Sequence, residues 1–334
     1  MCPAAILGDR ASGKTTFLGA LYSSMVGYST GHEDEFRFFA PPESINLMKN
    51  IYEMMMTGSF PDATVKDEVN KVQFTLGFKT LIGKIYAGSD SGLLRAWKGI
   101  RFAAYDVSGE DVQEYIDSGV ASSPIIKQLL ESYVVVILVD CGRMTLDEKS
   151  PNFRRMLHYD GEVAKLIVNF VTYKVQEYER QKAAKRMPHR LRVFPALVLT
   201  KTDLLQAQTL HQLGLPIEVP TRRNPEERRK FCEDLLRTFL PQTLSQLRGA
   251  RVEEGAPSFD DAAYFTSYIR TVTAEGGMAL PGAARILIQP ATAGTSAQMD
   301  YSASEYYAFI EHFRRIADQV ADYEGKDSNS VLTA

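Results

Sequence analysis

The chain has 334 residues, 45% of them hydrophobic and 24% charged, with a formal net charge of −3. That is ample apolar material for a sizeable core, and the near-neutral balance gives no global attraction to nucleic acid or to an anionic membrane. Three widely spaced cysteines (Cys2, Cys141, Cys232) exclude a disulfide framework and a cysteine zinc site, and they fit a reducing, cytoplasmic setting.

In chain order, the first predicted strand is Ala4 to Leu7. It runs straight into Gly8-Asp9-Arg10-Ala11-Ser12-Gly13-Lys14-Thr15, which satisfies the phosphate-binding pattern G-x-x-x-x-G-K-[ST], and a helical pattern comes next (Phe17, Leu18, Leu21, Tyr22, Met25). No charged leader and cleavage site precedes it, so secretion is not expected. A second helix is expected over Ser44 to Thr57, with Met54-Met55-Met56 as core packing or a flexible partner edge. Gly58-Ser59-Phe60-Pro61-Asp62-Ala63-Thr64 punctuates the chain before Val69 to Phe78, whose alternation suits a strand near a sheet edge.

Phe102 to Tyr105, Val134 to Val139 and Val193 to Leu199 read as strands buried on both faces, which indicates a mostly parallel sheet with helices on either side. The most apolar run, Tyr133 to Val139, is far too short to cross a bilayer. A long helix is expected over Phe153 to Tyr178, ending in the basic stretch Arg180 to Arg186, which reads as a solvated helix end. Asn224-Pro225-Glu226-Glu227 starts another helix. Ser302-Ala303-Ser304-Glu305 has capping-box spacing ahead of the last, amphipathic helix. Residues 87–98, 204–223 and 276–299 are turn-rich and read as loops. The five histidines show no metal-ligand spacing.

The residues that carry chemistry stand at the carboxyl ends of the predicted strands. Gly8 and Gly13 bound a turn whose inward N–H groups, from Arg10, Ala11, Ser12, Gly13, Lys14, Thr15 and Thr16, would meet a polyphosphate at the positive end of a helix. Lys14 would reach the β- and γ-phosphates, and the Thr15 hydroxyl would ligate Mg2+. Phe102 to Tyr105 ends in Asp106-Val107-Ser108-Gly109, where the acid can hold Mg2+ through its water shell and the Gly109 N–H can meet a γ-phosphate. Val193 to Leu199 ends in Thr200-Lys201-Thr202-Asp203; a carboxylate there can accept from both N1–H and N2–H2 of guanine, a donor pair that adenine lacks. Lys201 would lay its stem along the base, and Tyr264-Phe265-Thr266-Ser267 would bring the Ser267 N–H to the guanine carbonyl.

The order of phosphate loop, D-x-x-G, T-K-x-D and serine loop resembles the TRAFAC-class P-loop GTPases through about residue 270, and most nearly the prokaryotic double-GTPase-type proteins. The resemblance implies a three-layer α/β fold of about six mostly parallel strands with one antiparallel strand, the motifs lining one edge. It implies GTP and GDP as ligands, Mg2+ as cofactor, GTP hydrolysis, and an effector or activating protein as partner. It also implies that Thr64 closes onto Mg2+ and the γ-phosphate, with Thr57 and Thr30 as rivals. Where Ras-like members carry a glutamine after D-x-x-G, this chain has Glu110, which implies slow unaided hydrolysis. Arg10 stands where they have a small residue, either as a charge clamp in cis or as a solvated arginine. One elaborated domain is expected over residues 1–323, with insertions near 28–68, 79–99, 142–190, 204–258 and 272–303 and a flexible tail over 324–334. An ATPase or small-molecule kinase, with Asp203 only a helix cap, stays open as an alternative. So does a nucleotide-sensing scaffold without turnover.

Overall fold

Strands made almost wholly of small and β-branched residues need cover on both faces, and two of them form the centre of the sheet. In a computed structural model, which describes residues 2–9, 12–61, 70–79, 97–106, 109–120, 126, 130–132, 134–183, 192–205, 207–215, 225–249, 258–259, 262–272, 285–290 and 297–331, β1 (Cys2–Leu7) leads to α1 (Lys14–Gly31), β2 (Phe36–Phe39) and α2 (Pro42–Met56). Next come β3 (Asn70–Lys79), β4 (Trp97–Asp106), α3 (Gly109–Ser118), β5 (Val134–Asp140), α4 (Pro151–Ala183) and β6 (Arg192–Thr200). The chain continues through α5 (Ala207–Gln212), α6 (Pro225–Phe239), α7 (Pro241–Gly249), β7 (Ser258–Phe259) and β8 (Ala263–Thr266). It ends with β9 (Thr271–Val272), β10 (Arg285–Ile286), β11 (Ile288–Gln289), β12 (Gln298–Met299) and α8 (Ala303–Val331). One-turn helices at Cys141–Arg143 and Thr202–Leu204 come directly after β5 and β6.

The main sheet has eight strands in the order β2-β3-β4-β1-β5-β6-β7, with β8 also paired to β6. β3 pairs antiparallel with both β2 and β4, so it alone runs against the others. The fold is therefore the expected α/β sheet with one reversed strand, wider than six strands because β2 and the two-residue β7 join it. Every residue of β5 is buried. Alternation along β1 feeds two cores: Ala4 and Ile6 face α1, α2 and α8, while Ala5 and Leu7 face α3, α4, α6 and α7.

The first core is aromatic. Phe17 of α1 packs edge-on against Phe309 of α8 at 5.6 Å, and Phe313 stands edge-on to Phe102 of β4 at 5.0 Å. In α2, Met55 is buried and Met54 exposed, so the methionine run is part core and part surface.

Several elements differ from those the sequence predicts. β2 is an unexpected edge strand; with three phenylalanines in four residues it carries no polar alternation to announce it. The stretches read as loops hold α5, β10, which pairs with β9 just before them, and the short pair β11–β12. α8 runs past residue 323 into the segment expected to be a tail. The capping box is spent elsewhere: the Glu305 carboxylate binds Arg228 and Thr266, and Ser302 Oγ accepts from Tyr268 N–H at 3.1 Å. A buried guanidinium is the stronger partner for that acid. Among the described residues no helix is long and apolar enough to cross a membrane.

Candidate functional site

Strand register determines which loops share an edge. β1 pairs in parallel with β4 through Ala5 opposite Ala103, so β4, ending at Asp106, runs toward the same edge as the Gly8 turn that follows β1. Asp140 is opposite Thr200, and the pairing of Leu199 with Thr266 extends to bring Ser267 level with Thr200. Five strands, β1, β4, β5, β6 and β8, thus deliver their carboxyl ends to one edge.

The phosphate loop is held by its own backbone. Gly13 adopts a left-handed conformation (φ 85°, ψ 25°), and its carbonyl accepts from Phe17 N–H at 2.7 Å as α1 begins. A Cβ on Gly8 would lie 2.4 Å from Ser12 Oγ. Ser12 turns inward, with Oγ donating to the Asp9 carbonyl at 2.9 Å. Lys14, 8% exposed, spans the loop: Nζ donates to the carbonyls of Gly8 at 2.9 Å and Asp9 at 2.8 Å. Thr15 and Thr16 are half-buried in the first turn of α1. Arg10, Ala11 and Thr64 lie outside the described residues. Asp106 ends β4, and Gly109 and Glu110 open α3.

The Thr200–Asp203 loop is tied to the Gly8–Lys14 loop across the sheet. Thr200 Oγ1 donates to the Ser12 carbonyl at 2.8 Å, joining residues 188 apart in sequence. Lys201 takes a left-handed backbone (φ 55°), uncommon for a residue with a Cβ, and its Nζ lies 2.7 Å from Asp140 Oδ2. The lysine whose stem is expected along the base thus has its ammonium bound to the end of β5. Asp203 sits half-buried on the next turn; burial raises its pKa to about 6, against the pull of its backbone hydrogen bond, Lys201 and Arg270.

One expectation fails here. The Ser267 N–H, assigned to the base carbonyl, donates to Leu199 O at 2.7 Å, because β8 is still paired with β6 at that point, and Ser267 Oγ shares a hydrogen bond with Tyr306 OH at 2.7 Å.

Sequence reasoning misses a charge cluster beneath the loop. Arg143 Nη2 lies 2.7 Å from Asp9 Oδ2 and its Nε 3.6 Å from Asp140 Oδ2, with Cζ 4.4 Å from the centre of the Tyr159 ring. Tyr159 OH in turn accepts from Asp140 N–H at 2.8 Å. Burial raises the Asp9 pKa to about 6 in spite of Arg143 and Lys14, and among the described residues its Oδ1 has no hydrogen-bond partner. Asp140 ends an apolar strand as Asp106 does, and the same strand-end logic would have found it.

Among the described residues no group of three His, Cys, Asp or Glu forms a metal cage.

No protein-family model matches the chain, and no curated protein is similar to it in sequence. Among solved structures, the GTPase-like domain of S. cerevisiae Ski7, bound to GTP, aligns with 79% of this chain and 42% of its own at 14% identity and a TM-score of 0.29. This chain therefore spans less than half the length of that one, and the likeness is too loose to add to the geometry of the site.

Proposed function

We propose that the chain binds guanine nucleotides with Mg2+ and hydrolyses GTP to GDP and phosphate as a molecular switch. The observation that carries this reading is the bond from Thr200 to the Ser12 carbonyl, which fixes the phosphate loop and the Lys201–Asp203 turn at one sheet edge.

Each residue has a defined task in this reading. The N–H groups of the loop and the Lys14 ammonium would neutralise the β- and γ-phosphates, and Asp203 would accept the two guanine donors. Thr15 and Thr64 would hold Mg2+ directly and Asp106 through its water shell; the ion would withdraw charge from the phosphate oxygens. Water attacks the γ-phosphorus, the bond to the β–γ bridging oxygen breaks, and GDP leaves with inorganic phosphate and a proton. Gly109 and Thr64 would lose their contacts with the γ-phosphate, and that loss is the switch. Glu110 would orient the water poorly beside a like charge, so turnover is expected to be slow until a partner acts.

Competition between labelled GDP and ADP, with phosphate release measured on GTP, tests this reading. GDP should win and GTP should be consumed slowly; equal competition by ADP would replace it with an ATPase or kinase, and tight binding without phosphate release would leave a scaffold. Asp203→Asn sharpens the test, because an amide donor opposite N2 should move preference toward xanthine nucleotides, whose C2 carbonyl accepts.

A further inference from the structure

A nucleotide is a base and a polyphosphate joined by a ribose, and the two halves of its site reinforce each other only when the distance between them is held. Thr200 Oγ1 makes one such connection, to the Ser12 carbonyl at 2.8 Å. A second is made by side chains alone.

Asp9 of the Gly8–Lys14 loop and Asp140 at the end of β5 are 8% and 3% exposed. Carboxylates buried this deeply need cations, and one guanidinium serves both. Arg143 Nη2 lies 2.7 Å from Asp9 Oδ2, and its Nε lies 3.6 Å from Asp140 Oδ2. The same Asp140 oxygen takes the Lys201 ammonium at 2.7 Å, while the other accepts from Gly142 N–H at 2.8 Å. Alternating charges thus run through Lys201, Asp140, Arg143 and Asp9, from the Thr200–Asp203 loop to the Gly8–Lys14 loop.

Arg143 is itself held in place. Its Cζ stands 4.4 Å from the centre of the buried Tyr159 ring, and Tyr159 OH accepts from Asp140 N–H at 2.8 Å. A Cβ on Gly142 would come within 3.6 Å of Lys201 Cδ and 3.0 Å of Leu204 Cδ1. The lysine stem and the turn after it therefore lie against the one-turn helix that carries Arg143. A planar fork can bridge two acids in one rotamer, whereas an ammonium on a flexible stem gives no rigid span.

We propose that Arg143 is a positioning residue that sets the spacing between the two halves of the nucleotide site, bracing Asp9 of one loop against the Asp140–Lys201 pair of the other; this rests on the reading of the site as a guanine-nucleotide pocket. Arg143 touches no ligand in this role. Its contribution appears only when base and phosphates belong to one molecule.

The test is competition against labelled GDP, with Mg2+, by unlabelled GDP, guanosine, adenosine and inorganic pyrophosphate, on the full chain and on its Arg143→Ala and Arg143→Lys variants. Arg143→Ala should weaken GDP on the order of tenfold, part of what joining two fragments supplies, while guanosine and pyrophosphate each stay within about threefold. Arg143→Lys keeps the charge without the fork, so its urea unfolding midpoint should exceed that of Arg143→Ala while the GDP loss remains. Where alanine leaves too little folded chain to titrate, the lysine variant gives the same comparison. A general loosening of the fold would weaken the fragments and GDP together, and that result overturns the inference. So does a GDP affinity that is unchanged in Arg143→Ala or fully restored in Arg143→Lys. Guanosine that competes no better than adenosine on the unaltered chain overturns the guanine reading itself, and this inference with it.

Discussion

The proposed phosphate end and the proposed base end of this site are built by different means. At the phosphate end, residues within seven positions of one another close a turn through main-chain groups: Ser12 and Lys14 both bond to carbonyls of Gly8 and Asp9. At the base end the positions of Thr266 and Ser267 depend on α8 and α6. Glu305, 1% exposed, receives the Arg228 guanidinium at 2.9 Å and the Thr266 N–H at 3.2 Å, and Tyr306 meets Ser267 at 2.7 Å. A locally closed loop can keep its geometry when distant packing changes, whereas the base end inherits every shift of the helices behind it.

Arg228→Ala should show this most strongly. Removing one partner of a buried ion pair leaves an uncompensated charge and typically costs about 3–5 kcal/mol. A urea unfolding midpoint should fall accordingly, and in the folded fraction guanine preference should suffer more than affinity for inorganic pyrophosphate. Replacing both partners, as Arg228→Met with Glu305→Leu, should recover much of the stability but not the placement of Thr266, since Glu305 is also its acceptor. Equal losses at both ends would erase the distinction between them.

Lys14→Ala is the opposite probe. Loss of the ammonium should weaken GTP and GDP binding on the order of a hundredfold, through the charged hydrogen bonds to phosphate, with the ratio of guanine to adenine affinity unchanged. Isothermal titration with both nucleotides reads the two quantities together.

This division also explains what the sequence can convey. The Gly8–Lys14 loop is a contiguous pattern that closes within one turn, so its shape is readable at sight. The strands are readable because β1, β5 and β6 are buried on both faces and therefore continuously apolar. The Arg228–Glu305 pair and the Arg143 cluster join residues that no local pattern connects. Glu305 even carries a misleading local signal, since its capping-box spacing competes with a buried arginine 77 positions away. The Ser267 N–H misleads for a similar reason: whether β8 stays paired with β6 one residue further is a property of the sheet.

Asp9→Asn tests the joint between the two ends, where Arg143 links the phosphate loop to Asp140. An acid whose folded-state pKa is raised from 3.8 to about 6 binds its proton more tightly when folded. Its contribution to stability therefore falls as pH rises from about 4 to about 6 and stays low above that, by up to about 3 kcal/mol. His312, held down to about 4 by burial, works in the other direction, losing stability as pH falls below its ordinary 6.5. The difference between the unaltered chain and Asp9→Asn, measured by denaturant unfolding at several pH values, isolates the first effect. If that difference does not vary with pH, the buried carboxylate is not strained by its surroundings.

Gly13→Ala should have the smallest effect, and it separates conformational cost from steric cost within the phosphate loop. Among the described residues a Cβ on Gly13 would meet no atom within 4 Å, so the expected cost is that of holding an L-residue at φ 85°, about 1 kcal/mol, and nucleotide affinity should fall several-fold without loss of the fold. Gly8→Ala differs because its Cβ would press on Ser12 Oγ and force that side chain away from the Asp9 carbonyl while crowding Leu138 of β5. Ser12 carries the carbonyl that Thr200 Oγ1 grips, so the Gly8 change should propagate to the base end and reduce guanine selectivity as well as affinity. Titration of both variants with GDP and ADP would show the first lowering both affinities together and the second changing their ratio. The reverse pattern would mean that the two ends are joined through Gly13 and the start of α1 rather than through Ser12.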